Sequence, residues 1–483
     1  MSQIINFKIT AKVISRNLFI LSLGLLPSVG VAIWFGENTL PFIFTILIAA
    51  FTGTVMFFIS GRYRSEELIH KKDTYFTVTL SWLLITFIGS LPFIFSGAIP
   101  KFVDAYFESV SGFSTTGASI LTDIEILPKS IIFWRSFTHW IGGIGIILLV
   151  IIIMPSLKIG GYHLFSLESS LLEKIKPRIR AVGMRLLFIY VGLTFAEVIL
   201  LMLGKMPLFD SLCHSFGTIA TGGFGTKNTS IINYSPYIQY VIMIFMFLAG
   251  TNFLVHYYIV KGDFKKIRAN EELKFYILVI LAIGLVLTGL LFFRMGKPLE
   301  LSFREAFFQL ISIITCTGFA SADFLLWPVA GWMIIFFAMF LGGSTGSTAG
   351  GIKMARHLIF LKNIRNFLRH IISPHAILPL RLNGNNVAPE TNGTILTFIS
   401  VYVITFFIGT TFLVLMNLDL ATSASSVATC MAGIGPGIGT VGPVSNFAHL
   451  PEMGKLVLSA MMILGRLEIF TVIVLFSPSF WKK

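Results

Sequence analysis

Charged residues are scarce in this chain. Asp, Glu, Lys and Arg make up only 12% of its 483 residues, whereas soluble proteins contain about 25%. Hydrophobic residues make up 55% and are gathered in long, nearly uncharged runs. A helix needs about 20 such residues to cross a hydrocarbon core of about 30 Å. The shortage of charge therefore excludes a soluble protein, and the absence of short alternating segments excludes an outer-membrane barrel.

Cysteine is also scarce, since the chain has only Cys213, Cys316 and Cys430. An odd number without CxxC spacing predicts neither a disulfide framework nor a metal site, so we interpret these thiols as packing residues. The sequence also lacks a cluster of His, Asp, Glu or Cys at one membrane depth, which a membrane-embedded enzyme needs. An enzyme is therefore a remote alternative. Three lone histidines on apolar segments are interpreted as packing residues: His139, His214 and His256.

The apolar runs predict an all-α polytopic membrane protein with about ten spans. They lie near 17–35, 40–61, 74–97, 131–155, 182–204, 235–260, 273–294, 329–360, 393–416 and 453–478. Basic clusters follow every second span, around Arg62, Lys158, Lys265, Lys353 to Arg381, and Lys482. The positive-inside rule then places both termini in the cytoplasm. The net charge of +14 is attributed to this topology, and no nucleic-acid partner is expected.

A Thr-Gly pattern recurs on the side opposite the basic clusters. It appears as Thr115-Thr116-Gly117, Ala220-Thr221-Gly222 and Cys316-Thr317-Gly318, with a looser version at Gly433-Ile434-Gly435. A single Thr-Gly pair is typical of a turn. Four copies at nearly regular intervals, each after a semi-polar segment, instead predict four tandem repeats of span, pore helix, filter and span around one pore. Glycine-rich extended backbone offers carbonyl oxygens that can replace the hydration shell of a cation.

The repeats divide the chain into five units. A two-helix unit, 1–70, precedes repeats at 71–160, 161–268, 269–385 and 386–483. An acid precedes each motif by about three helical turns, where it complements the helix dipole at an N-terminus. These acids are Asp104, Asp210, Glu305 and Asp419.

On these motifs the chain resembles the Trk/Ktr/HKT superfamily of potassium transporters over its whole length, most closely the TrkH branch. The resemblance implies that Gly117, Gly222, Gly318 and Gly435 are the filter glycines. It implies that potassium binds at all twelve motif residues quoted above and is the transported substrate, with no organic cofactor. In some plant relatives a Ser at the first filter position goes with sodium preference, so Gly117 favours potassium. The family usually carries Asn where Gly433 stands, and the fourth segment departs from the pattern.

The third repeat contains a second glycine-rich stretch, with five glycines and four Ser or Thr. Its residues are Gly342, Gly343, Ser344, Thr345, Gly346, Ser347, Thr348, Ala349, Gly350 and Gly351. A helix is unfavourable here because each Gly costs about 1 kcal/mol relative to Ala. A phosphate-binding loop is disfavoured since Ile352 precedes Lys353 and no strand precedes the stretch. The resemblance implies an intramembrane gate loop beneath the filter.

Arg466 and Glu468 are charged residues inside the last predicted span, where such groups are costly. We expect Arg466 to reach the carbonyls of the gate loop and to raise the barrier to cations, or else to be a structural tie between helices.

The expected function is potassium uptake across a bacterial plasma membrane by channel-type conduction. The alternative is a symporter coupled to protons or sodium, with Glu468 as the candidate carboxylate. The resemblance further implies a homodimer, embedded in the lipid bilayer, that binds cytosolic TrkA-type nucleotide-binding regulatory subunits.

Overall fold

Helices account for almost all of the regular structure. The computed structural model describes residues 5–61, 71–152 and 176–482. Two helices precede the first gap: α1, Phe7–Phe35, and α2, Leu40–Ser60. Between the gaps lie α3, Lys71–Gly89; α4, Leu91–Phe95; α5, Phe102–Phe113; and α6, Lys129–Ile152.

After the second gap the helices range from 4 to 28 residues in length. They are α7, Lys176–Leu203; α8, Leu208–Ile219; α9, Pro236–Ala249; α10, Phe253–Val260; α11, Phe264–Ala269; α12, Glu271–Met295; α13, Leu299–Ile314; α14, Val329–Ala338; α15, Met354–Ile372; α16, Pro389–Val414; α17, Leu420–Ala432; α18, Glu452–Arg466; α19, Ile469–Ile473; and α20, Pro478–Trp481. Single 3₁₀ turns lie at Phe324–Leu326, Gly439–Val441 and Val474–Phe476. A small antiparallel hairpin joins β1, Arg381–Leu382, to β2, Asn385–Asn386.

Six helices in the described residues are long and apolar enough to cross a membrane. They are Phe7–Phe35, Leu40–Ser60, Lys71–Phe95 (α3 and α4 together), Gly183–Leu203 (within α7), Glu271–Met295 and Pro389–Val414. Large apolar side chains point outward from them, such as Trp34, 84% exposed, and Phe51, 71% exposed. Such a surface suits lipid rather than water. The predicted class, an all-α polytopic membrane protein, is confirmed.

Three predicted spans are not continuous helices, and for two of them this is contrary to the sequence prediction. The span near 235–260 bends by 100° between α9 and α10, and the one near 453–478 bends by 114° between α18 and α19. The span near 329–360 is interrupted between α14 and α15, in the glycine-rich stretch where the sequence made a helix unfavourable. The break before α10 has a local cause, because the Asn252 side chain accepts the N–H of Leu254 and so starts a new helix.

Four short helices enter the protein interior from separate places in the chain: α5, α8, α13 and α17. We call them the half-helices. Their last turns are completely buried, as at Val110, Ile219, Ile314 and Cys430. Two large apolar clusters surround them, one built mainly from α7 to α14 and the other mainly from α1 to α6 with α16 to α19. The half-helices therefore converge on the centre of the molecule.

Some predicted features lie outside the described residues. These are the basic residues Arg62, Arg64, Lys158 and Lys174 and the unit boundaries near 70 and 160. The other unit boundaries, the number of crossings and the orientation of the termini stay predictions.

Candidate cation pathway

The same backbone hydrogen bond recurs in a three-residue segment after each of the four half-helices. The N–H of the middle residue donates to the carbonyl five positions earlier, at 2.7 to 2.9 Å. The pairs are Thr116 with Ser111, Gly222 with Gly217, Thr317 with Ser312, and Ile434 with Thr429. We call Thr115–Gly117, Thr221–Gly223, Cys316–Gly318 and Gly433–Gly435 the ring segments.

The second ring segment begins one residue later than the sequence predicts. Gly222 matches Thr116, so the counterpart of Gly117 is Gly223, and Ala220 is the C-cap of α8. Matching the segments by their Thr-Gly pairs gives the wrong register, because Thr221 is the first residue of its segment, whereas Thr116 and Thr317 are the middle residues of theirs. The Thr-Gly dipeptide alone therefore does not fix the register.

The backbone alternates in the same way in all four segments. The first and third residues have positive φ, and the middle residue does not. The first residues, Thr115, Thr221, Cys316 and Gly433, have φ of 54°, 54°, 58° and 74°. A left-handed conformation costs an L-residue about 1 kcal/mol or more, and such strain persists only where the surroundings enforce it. Gly433 adopts it freely, so the departure of the fourth segment preserves the backbone geometry.

The third residue of every segment is glycine, and it contacts the carbonyl of a neighbouring segment. A Cβ on any of these glycines would lie less than 3.0 Å from that oxygen. The glycine and carbonyl pairs are Gly117 with Gly222, Gly223 with Thr317, Gly318 with Ile434, and Gly435 with Thr116. Each segment thus contacts the next, and the fourth contacts the first. The four segments form a closed ring of backbone, in which the third position has no room for a side chain.

A cavity of about 140 Å³ lies against one side of the ring. All four third-position glycines line it, together with polar residues such as Thr122, Asn228 and Ser445. A single cavity is therefore in contact with all four segments.

A buried ion pair lies behind the first two ring segments, and sequence reasoning missed it. Arg135 Nε lies 2.6 Å from Glu108 Oε1, and both side chains are almost fully buried. Glu108 also accepts the N–H of Ile120, while Arg135 donates to the carbonyl of Gly225. The pair therefore fixes the chain that leaves each of the two segments. An Arg within an apolar run and a Glu within a semi-polar helix were the available signals.

His139 is one of the three histidines interpreted as packing residues, and it lies directly against the ring. Its ring stacks on Phe224, with centroids 4.0 Å apart. A Cβ on Gly222 would collide with its Nδ1. The imidazole therefore fills the space behind the middle residue of the second segment.

The glycine-rich stretch Gly342–Gly351 is irregular and lies on the other side of the ring. Thr348 Oγ1 donates to the carbonyl of Ile219 at the end of α8, and Gly350 contacts the carbonyl of Ala432 at the end of α17. Both contacts are made where the half-helices end, next to the first residues of ring segments, whereas the cavity touches the third residues. The ring thus separates the cavity from this stretch, which we call the glycine-rich loop.

The break between α9 and α10 holds the glycine-rich loop from the side. Ser344 N–H donates to the carbonyl of Gly250 at 2.8 Å, and Phe253 N–H donates to the carbonyl of Gly346 at 3.1 Å. The unpaired backbone groups of a broken span and of an irregular loop thus satisfy each other, as burial demands.

Arg466 and Glu468 have separate partners. Arg466 is 7% exposed, and it donates to the carbonyls of Thr348 at 2.9 Å and Gly142 at 3.1 Å. Glu468 lies in the break after α18 and forms an ion pair of 2.5 Å with Arg356 of α15. The guanidinium of Arg466 thus bridges α6 and the glycine-rich loop.

The acids expected at the half-helix N-termini differ in position. Asp104 and Asp210 lie in first turns and Asp419 is the N-cap of α17. Glu305 lies farther along α13, where it pairs with Lys297 at 2.6 Å, and the first-turn acid of α13 is Glu300. The predicted N-terminal placement is therefore wrong for Glu305, because α13 begins earlier than its spacing to Gly318 implied.

These features define a polytopic helical membrane protein organised around a central ring of backbone. The TrkH family, described as cation transport proteins, matches residues 42–483. The chain belongs to this family, and it is a transport protein rather than an enzyme.

Individual relatives match along nearly the whole chain. The Trk system potassium uptake protein TrkH of Salmonella typhimurium is 34% identical over 91% of this chain and 92% of its own. The protein of the same name from Halomonas elongata is 32% identical over 99% of this chain and all of its own. The crystal structure of the potassium transporter TrkH from Vibrio parahaemolyticus superposes with a TM-score of 0.91, at 31% identity, covering 99% of this chain and 100% of that chain.

Proposed function

We propose that this protein carries potassium into the cell across a bacterial plasma membrane, through the ring formed by its four ring segments. The closure of that ring is the observation that carries the proposal, because each of the four segments places a backbone carbonyl against a neighbouring segment. Carbonyl oxygens are the ligands that replace the hydration shell of potassium in selective pores. The names of the relatives, Trk system potassium uptake proteins, support the same ion.

Selectivity depends on the glycines at the third positions. Gly117, Gly223, Gly318 and Gly435 all have positive φ and all lie against a neighbouring carbonyl. A side chain at one of them would push two segments apart and change the spacing of the ligands. Glycine at all four positions therefore supports potassium preference, as the resemblance to the superfamily implies for Gly117.

The glycine-rich loop is the gate in this proposal, with Arg466 as its latch. The loop lies on the side of the ring opposite the cavity and obstructs the path of an ion that has passed the ring. The guanidinium of Arg466 holds the carbonyl of Thr348 and adds a positive charge to the path. Conduction then requires the loop to move.

Channel-type conduction is favoured over symport. A coupled transporter would use a titratable carboxylate in the pathway, and Glu468 was the candidate. Its carboxylate is paired with Arg356, which supports a structural role in the break after α18. Symport driven by protons or sodium is the alternative on the same scaffold.

The proposed assembly is a homodimer that binds cytosolic TrkA-type regulatory subunits. Both termini and the basic connections lie in the cytoplasm in this arrangement. The most basic connection, from Lys353 to Arg381, includes α15 and is a docking surface for those subunits or for anionic lipid headgroups.

Flux through the purified protein in liposomes tests the proposal. Rubidium, potassium and sodium uptake are measured with and without a proton or sodium gradient. The proposal predicts potassium and rubidium flux well above sodium flux, at rates that do not depend on either gradient. Equal flux of sodium would contradict the selective ring, and flux that requires a gradient would establish the symporter.

A further inference from the structure

Glu272 accepts two backbone N–H groups, one within the glycine-rich loop and one in the helix that follows it. It lies in the first turn of α12 and is 2% exposed. Its Oε1 accepts the N–H of Thr345 at 2.6 Å and the N–H of Ala355 at 3.1 Å. Thr345 belongs to the loop, and Ala355 belongs to the first turn of α15, into which the loop leads.

The two contacts are of a strong kind. A carboxylate that accepts backbone N–H groups makes charge-assisted hydrogen bonds, which are about twice as strong as neutral ones. The N-terminus of α15 also carries unpaired N–H groups and the positive end of the helix dipole, so it favours a buried anion. One side chain thus accepts hydrogen bonds from N–H groups of the loop and of α15 that would otherwise be buried without an acceptor.

The neighbouring Glu271 contacts two elements outside the loop, α15 and the β1–β2 hairpin. Its carboxylate pairs with Lys362 of α15, and its N–H donates to Asn383 Oδ1 in the β1–β2 turn at 2.7 Å. The first turn of α12 therefore contacts the glycine-rich loop through Glu272. Through Glu271 it contacts α15 and the hairpin.

Arg466 and Glu272 hold the loop with opposite polarity. Arg466 donates to the carbonyl of Thr348, and Glu272 accepts the N–H of Thr345. The two side chains come from different helices, α18 and α12, and their attachment points enclose Gly346 and Ser347. Motion of the loop away from the ring has to break at least one of these contacts.

We propose that Glu272 is a positioning residue that keeps the glycine-rich loop closed by accepting the N–H groups of Thr345 and Ala355. The inference rests on the proposed gating role of the loop. It assigns the closed state a second latch that acts from the first turn of α12, independently of Arg466.

Potassium and sodium flux of the full-length protein in liposomes tests this role. Glu272→Ala removes the acceptor, and we expect about a tenfold rise in potassium flux at an unchanged ratio of potassium to sodium, together with faster hydrogen exchange in the peptide 343–356. Glu272→Gln keeps an Oε1 that accepts both N–H groups but loses the charge, so its flux should lie between those of wild type and Glu272→Ala. Glu390→Ala removes an exposed carboxylate from the first turn of α16 and is the matched control.

A deletion of Ser344 to Thr348 distinguishes failure of the latch from failure of the gate. If the deletion raises flux and folded Glu272→Ala does not, the role of Glu272 is overturned while the gate stands. If the deletion leaves flux unchanged, the gate proposal fails and the latch with it. Should Glu272→Ala not fold, Glu272→Met removes the acceptor with less loss of volume and has to show the same rise. Altered ion selectivity in either variant would also contradict the proposal.

Discussion

Arg466 Nη1 lies 2.9 Å from the carbonyl oxygen of Thr348, and its Nη2 lies 3.1 Å from the carbonyl oxygen of Gly142. One buried guanidinium thereby joins the end of α18, the glycine-rich loop and α6. Through these contacts the position of the loop depends on α18 and α6.

Replacing Arg466 by Ala should raise potassium flux by about tenfold. Hydrogen bonds to a charged group contribute about 1.5 to 3 kcal/mol, and a loss of about 1.4 kcal/mol shifts a two-state equilibrium tenfold. Arg466→Lys keeps the charge but not the two-pronged geometry, so its flux should be intermediate. The measurement is rubidium uptake into liposomes by protein that elutes as a single species. Flux at or below the wild-type value for both variants would contradict the latch.

Gly117→Ser should reduce the preference for potassium over sodium by about tenfold, which corresponds to about 1.4 kcal/mol of lost discrimination. Gly117 has a φ of +81°, and a Cβ there would collide with the carbonyl of Gly222, so the serine has to displace that ligand. Gly225→Ala is the control, because its Cβ would meet no atom closer than 3.6 Å. Competition between the two ions in uptake assays gives the ratio. An unchanged ratio in Gly117→Ser would exclude this glycine from the selective ring.

Gly222 and Gly223 should respond differently to alanine. Gly223→Ala places a Cβ against the carbonyl of Thr317, which belongs to the ring backbone and has nowhere to move. Gly222→Ala instead collides with the His139 side chain. We therefore expect His139→Ala to restore at least half of the potassium flux lost in Gly222→Ala and none of that lost in Gly223→Ala. Equal rescue of the two would mean that Gly223 is not the counterpart of Gly117.

Arg135→Ala should destabilise the protein by about 3 to 5 kcal/mol, because it leaves the buried carboxylate of Glu108 without its partner. Thermal unfolding in detergent measures the change. Lys266→Ala breaks an exposed ion pair with Asp263 and serves as the control, with an unfolding temperature close to that of wild type. Similar unfolding temperatures for Arg135→Ala and wild type would show that the buried pair is not needed to hold the ring segments.

The apolar runs were sufficient to predict the helical membrane fold, because bilayer thickness sets the length of a span. The four copies of the motif predicted four repeats around one pore. The register of the second segment was not predictable from Thr221 and Gly222, since it depends on a hydrogen bond to Gly217. The break after α9 was also missed, because its backbone groups find partners in a loop almost 100 residues later. The contact of Glu272 with the glycine-rich loop was not predictable either, because only the folded chain brings the two together.

Ion density at the ring is the most direct test of the central claim. Crystals of the protein grown with thallium or rubidium in place of potassium allow the ion to be located by its anomalous scattering. We expect a peak inside the ring, surrounded by carbonyl oxygens of the four ring segments, and loss of that peak in Gly117→Ser. Ordered ions found only away from the ring, with none among the four segments, would contradict the claim.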